Sequence, residues 1–233
     1  MYRSVLNYSP AEAPVKLFIY TMVQKNPMKR PRGRPRSYDP QKALGQARDA
    51  FWDTGYTGTS LDDLGTATGM NRPSLYGEFG DKRELYLETL DRYREMGRTA
   101  MREELSYELP LADALRGMFA RAISIYLAGK HGARGCFLIG TATTEAVRDT
   151  KIRAVFAAGL HELDDILAER LRHAADQGEL HTDIEPATLA RVVCGIMNSL
   201  ALRARAGDSR ATPEATAEAG VRLVCGEVPR GKR

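Results

Sequence analysis

From Asp39 onward, apolar residues recur at intervals of three and four, the spacing that gathers them on one face of an α-helix. No stretch alternates with the period of a strand, and no segment repeats itself. The pattern predicts an all-α chain. Asp39 is placed as an N-cap, with Pro40 at the first helical position. Leu44, Ala47 and Phe51 then share a face, and Gly55 is expected to stop that helix. Ser60 caps a second, short helix with Asp63 at its third position, a capping-box variant, and Gly69 ends it. Asn71 caps a third, with Pro73 near its start and "SLYGEF" as its body, and Gly80 breaks it. Asp81 opens a fourth, whose Leu85, Leu87, Leu90 and Tyr93 suggest a long connecting rod. Further helices are expected at about 110–129, 136–147, 150–177, 185–206 and 213–225.

Two short helices joined by a tight, glycine-containing turn make a helix-turn-helix, here at about residues 61–80. In such a unit the second helix enters the DNA major groove while the first crosses the backbone. The residues suit that task. Ser60 and the free N–H groups at its helix start can hold a phosphate. Arg72 reaches a phosphate or a guanine edge, and Ser74 is short enough to sit close to bases. Tyr76 offers a ring and a hydroxyl, and Lys82 adds a cation on the same side. Leu61, Leu64, Leu75 and Phe79 are expected in the core.

Charge sharpens this picture. The formal net charge is +4, yet five cations (Lys29, Arg30, Arg32, Arg34 and Arg36) fall within eight residues just ahead of the first helix. Without them the remainder is close to neutral, so the basic character is local and points to a polyanion, nucleic acid ahead of membrane. "PRGRP" looks like the core of an AT-hook, and Arg32, Arg34 and Arg36 are expected along the minor groove of A·T-rich DNA. A basic tail binding phosphates without preference is the alternative. The first 27 residues carry neither a membrane span nor a secretory signal: "VKLFIYTMV" is too short and too polar at its edges. They read as a disordered leader, or as sequence ahead of a start at Met22 or Met28.

The stretch from Tyr38 to about Gly97 resembles the DNA-binding domain of the tetracycline-repressor (TetR) regulators of bacteria. The resemblance rests on "ALGQARDAFWDTGYTGTSLDDLGTATGMNRPSLYGEFGDKRELY". Within it stand the aromatic-plus-"GY" end of the first helix, the "TS" cap, "GM" at the turn, "LYxxF" in the recognition helix and "DKREL" opening the next. The features are specific in combination. They imply a homodimeric, cytoplasmic and nucleoid-associated transcriptional regulator, usually a repressor, whose C-terminal helices bind a small effector and pair the subunits. This sequence departs at Gly77 and Glu78, where such helices often carry two aromatic or histidine residues. Glycine there lets the backbone approach DNA, and Glu78 either accepts from a cytosine amino group or faces solvent.

The expected organisation is a leader and arm (1–36), a helix-turn-helix domain (37–97), a ligand-binding and dimerisation domain (98–226) and a basic tail (227–233). The resemblance places the ligand pocket between the rod helix and the helices that follow. Its candidate liners are Met101, Phe119, Ile123, Tyr126, Cys136, Phe137, Ile139, Phe156 and Leu160. Cys136, at a helix start with Arg134 nearby, is either a sensor thiol of lowered pKa or a buried structural cysteine. Ala190, Val193, Cys194, Met197, Leu200 and Ala201, with Val221 and Val224, are the candidate dimer interface.

Other chemistries find little support. Three widely separated cysteines and no CxxC argue against a disulfide framework or a zinc site. Glu169 and His173, like His161 and Asp165, stand four residues apart, a spacing common on solvated helix faces, and no metal or cofactor is expected. No phosphate loop, GxSxG or HExxH occurs, which speaks against an enzyme; an architectural DNA-binding protein without ligand control is the other alternative.

Overall fold

Asp39, Ser60, Asn71 and Asp81 each begin a helix by the same means. A side-chain oxygen accepts from backbone N–H groups of the first turn, which have no partner inside the helix. The computed structural model describes residues 38–129 and 132–226. Arg32, Arg34 and Arg36, with the leader and the tail, lie outside the described residues, as does His131. Four helices come first: α1 (Pro40–Gly58), α2 (Leu61–Thr68), α3 (Arg72–Phe79) and α4 (Lys82–Glu104). They are followed by α5 (Leu111–Leu127), α6 (Thr143–Glu145), α7 (Thr150–Asp176), α8 (Pro186–Arg205) and α9 (Ala211–Cys225). Among the described residues there is no strand, and the fold is all-α.

Two elements differ from their expected form. α1 continues past Gly55, but with a sharp break there (φ +78°, ψ 167°), a conformation open to glycine and costly for other residues. The helix expected over 136–147 is a π-helical turn, Leu138–Ala142, running into the short α6. The wider turn brings Leu138, Thr141 and Ala142 all inward. Thr141 Oγ1 donates to Phe137 O (2.8 Å) and pairs with the Tyr86 hydroxyl (2.7 Å), fastening this turn to α4.

Two hydrophobic cores result. One gathers Leu44, Phe51 and Trp52 of α1, Leu64 of α2, Leu75 and Phe79 of α3, and Tyr86 and Leu90 of α4. It is completed by later sequence: Phe137, Leu138, Ala142 and Ile152 all belong to it. The Phe137 ring lies 5.4 Å from Trp52 and 5.5 Å from Tyr93, with no solvent exposure. Truncating such a residue to alanine costs about 3–5 kcal/mol. The second core joins α5, α7, α8 and α9 to the end of α4 through Met101. α4 therefore carries side chains into both cores, and a tilt of this rod is felt in each.

The eight candidate dimer residues fall inside the protomer. Ala190, Val193, Cys194, Met197, Leu200, Ala201, Val221 and Val224 are all buried in the second core. Periodicity marked the buried face of α8 and α9 correctly, but that face packs on α5 and α7 of the same chain. The outward faces carry other apolar residues, namely Val192, Leu202 and Leu223, which is 82% exposed.

Candidate nucleic-acid interface

The turn between α2 and α3 is built around two glycines and a buried methionine. Gly69 closes α2 in the left-handed region (φ +69°), and Met70 turns inward to the core. A Cβ on Gly65 would sit 3.0 Å from Met70 O, so a larger residue would press on the turn where the chain folds back. Asn71 Oδ1 then accepts from Ser74 N (2.9 Å) and starts α3, with Pro73 in the first turn, where its missing N–H costs nothing.

Leu75 and Phe79 anchor α3 to the core. The opposite face presents Arg72, Pro73, Tyr76 and Gly77 to solvent, with Ser74 half-buried beside them. The five expected recognition-helix residues thus fall on or beside one outward stripe. Space around Gly77 is open, since a Cβ there would meet nothing within 4 Å. Arg72 is held by Asp62 of α2 through two hydrogen bonds, Nε–Oδ1 at 3.1 Å and Nη2–Oδ2 at 2.8 Å. Both partners are well exposed, so the fork can be exchanged for a nucleic-acid acceptor at little cost.

Three flanking residues take different roles from those expected. The Ser60 hydroxyl is already engaged, accepting from Asp63 N (3.1 Å) and donating to Asp63 Oδ2 (2.7 Å). Asp63 also accepts from Ser60 N (2.8 Å), and these bonds hold its carboxyl below the usual range. The α2 N-terminus is occupied by an internal anion, which disfavours a phosphate there. Lys82 lies half-buried with Nζ 4.5 Å from the centre of the Tyr56 ring, and burial pushes its pKa down. Glu78, partly buried, is turned toward the start of α1, where it accepts from the Tyr38 hydroxyl (2.9 Å).

Beyond α4 a cavity of about 110 Å³ opens between α4, α5 and α7. Met101, Tyr126 and Cys136 line it as expected, but Phe119, Ile123, Phe137, Ile139, Phe156 and Leu160 do not. Phe119 and Ile123 pack in the second core, Phe137 in the first, and Phe156 against the first. The polar liners carry no local pattern that marks them. Arg94 forks onto Glu162 (3.2 and 2.9 Å), and Arg121 binds Glu104 (3.0 Å), pairings that join residues far apart in the chain. Small residues make the space: Gly97, Ala100, Ala122 and Gly159 all line it.

The surroundings of Cys136 favour the protonated thiol. Burial raises its pKa, its sulfur accepts from the Tyr93 hydroxyl (3.6 Å), and Arg134 is drawn away to Asp49 and the Trp52 ring. Glu169 and His173, the pair with ligand spacing, both serve Tyr107: Glu169 accepts from its hydroxyl (3.0 Å) and the His173 ring lies 4.5 Å from its ring.

Residues 43–89 match the family model for bacterial regulatory proteins of the tetR family, and residues 112–219 match the tetracyclin repressor-like C-terminal domain. Over 185 residues the chain is 33% identical to the HTH-type transcriptional repressor ComR of Escherichia coli, spanning 78% of this chain and 87% of that protein. It is 32% identical over 160 residues to YezE, an uncharacterized HTH-type transcriptional regulator of Bacillus subtilis, spanning 68% of this chain and 82% of the relative. A cysteine mutant of the TetR family transcriptional regulator CifR, solved with 26-base-pair operator DNA, superposes with a TM-score of 0.73 at 28% identity. That match covers 81% of this chain and 98% of the CifR chain. The geometry of α2 and α3, the helical domain behind them and these matches agree: the chain belongs to the TetR family and is a DNA-binding transcriptional regulator, not an enzyme.

Proposed function

We propose that the protein is a repressor that binds a palindromic operator as a homodimer and leaves it when a small effector fills the cavity beside α4. The outward stripe Arg72, Pro73, Tyr76 and Gly77, opposite the buried Leu75 and Phe79, carries the DNA-binding part of this reading. One helix of eight residues reads too few base pairs for specificity, whereas two related by a twofold axis read half-sites about 34–36 Å apart. The second copy docks on the outward face of α8 and α9, where Val192, Leu202 and Leu223 are exposed. The basic arm adds minor-groove contacts through Arg32, Arg34 and Arg36.

Effector control works by population shift. A ligand that fits the cavity better when α4 is tilted draws the dimer toward a spacing of α3 helices that no longer matches the operator. The cavity and the DNA domain share α4, and the π-helical turn links them, because Leu138 lines the cavity while Thr141 bonds Tyr86.

Fluorescence anisotropy on an operator duplex tests the reading. Arg72→Ala and Tyr76→Ala should each weaken binding at least tenfold with unchanged melting temperature. Deleting residues 1–36 should weaken binding and flatten its salt dependence, by about 0.9 in log–log slope per lost phosphate contact. Operator affinity that ignores both helix substitutions would refute the assignment of α3.

A further inference from the structure

We infer that the effector is an uncharged molecule about the size of one aromatic ring, carrying a single hydrogen-bonding group that meets the hydroxyl of Tyr126. This rests on the reading of the α4 cavity as the effector site and names the chemistry it accepts.

Size comes first. The cavity measures about 110 Å³, and an apolar engineered cavity of about 150 Å³ takes up benzene. At somewhat less than that volume, a single ring is the upper limit for the enclosed space, and a small substituent has to reach toward the open side between α4 and α5. Its walls are chiefly apolar, and Met101, Met118 and Met197 supply polarizable, adaptable sulfur that packs well on ring edges. Charge follows. Arg94, Arg121, Glu104 and Glu162 line the cavity, but each arginine is already hydrogen-bonded to a lining glutamate. The charges cancel in pairs, so an ionic ligand finds no free counter-charge and would have to break a bidentate or bridging pair to enter.

The third observation fixes the polar group. Tyr93 and Tyr126 both line the cavity beside Cys136. Tyr93 donates to Cys136 Sγ. Tyr126, 6% exposed, lines the cavity, and no side chain among the described residues is seen to hydrogen-bond its hydroxyl. A hydroxyl on the wall of an otherwise apolar cavity rewards a ligand that carries one matching polar group, because a ligand hydrogen bond there is shielded from water. An apolar ring alone would fill the space without meeting this hydroxyl. A phenol, an aryl ketone or a neutral aryl amide meets both demands.

The test uses the full chain and four probes of one shape: p-cresol, toluene, benzoate and benzylamine. Binding is measured by isothermal titration calorimetry, and operator release separately by anisotropy. The inference predicts that p-cresol binds most tightly, toluene less so, and the two ions at least 30-fold more weakly than p-cresol. Tyr126→Phe should weaken p-cresol about fivefold, the loss of one hydrogen bond, and leave toluene unchanged. Ala122→Leu should abolish binding of both by filling the cavity. Should that variant not fold, Tyr126→Phe still decides. Equal binding of the ions, no binding of any probe, or a Tyr126→Phe change shared by toluene would overturn the inference. Neutral probes that bind as predicted without releasing operator would uphold the ligand class and refute the effector role. A charged probe that binds in the cavity and releases operator would do the reverse.

Discussion

Replacing Gly77 by alanine should make the protein more stable and its DNA binding worse. Gly77 lies in the interior of α3, is exposed, and is absent from the left-handed region that other glycines of this domain occupy. A Cβ there would meet no atom within 4 Å, whereas one on Gly65 would press on Met70 O and one on Gly80 would impose a strained φ of +76°. Nothing among the described residues asks for glycine at 77. A helix-interior glycine costs roughly 0.5–1 kcal/mol relative to alanine. For a chain of this size each kcal/mol corresponds to about 2–4 °C of melting temperature, so Gly77→Ala should raise it by roughly 1–4 °C. The same methyl group projects from the stripe proposed to enter the groove. If the backbone at 77 packs on DNA, the added methyl overpacks that contact by about 1–3 kcal/mol, a loss of roughly 5- to 150-fold in operator affinity. Differential scanning calorimetry and anisotropy on the same preparation read the two effects. Unchanged affinity would show that this part of α3 stands clear of DNA. A lowered melting temperature would refute the packing argument itself.

Other perturbations probe the charges around this site. Asp62→Asn frees Arg72 from an exposed pair that contributes little stability. It also removes a negative charge near the phosphates, so operator affinity should rise about 3- to 10-fold at low salt and converge with wild type at high salt, as anisotropy across ionic strength would show. Asp149 caps α7 and holds Arg83 of α4 through two hydrogen bonds, which lower its pKa to about 2. Since an unfolded aspartate titrates at about 3.9, this bridge gives its full stability above about pH 5 and loses it as pH falls toward 2. Urea melts from pH 7 to pH 3 should show a shallower acid loss in Asp149→Asn than in wild type. Glu179 accepts from Leu111 N (2.7 Å) and lies 3.5 Å from Nη2 of the buried Arg170, whose Nε and Nη1 have no partner among the described residues. Glu179→Ala should cost about 2–3 kcal/mol in the same melts, while Arg170→Met should be close to neutral.

What the sequence reveals and what it hides divide along the range of the interactions. The caps at Asp39, Ser60, Asn71 and Asp81 are legible because each is a contact within three residues, and the outward stripe of α3 because Leu75 and Phe79 fix the opposite face. The long-range contacts are not. Nothing in local pattern says that Phe137 plugs the N-terminal core, and its apolar surroundings suit a pocket equally well. Arg94 and Glu162 read as surface charges until the fold sets them together. For α8 the three- and four-residue spacing identified a buried face, but spacing cannot tell a face buried within a protomer from one buried between two. Cys136 shows the same limit: a helix start and a nearby arginine suggest a lowered pKa, and burial with Arg134 turned to Asp49 reverses the sign.

Selection of bound duplexes from a random pool, by the full chain at modest salt, tests the central claim most directly: α3, duplicated by symmetry, reads DNA through its outward face. The account predicts enrichment of an inverted repeat with half-sites about one helical turn apart, or a multiple of it, and its disappearance with Tyr76→Ala. A pool that shows no enrichment, or an enriched site that Tyr76→Ala binds as tightly as wild type, would contradict it.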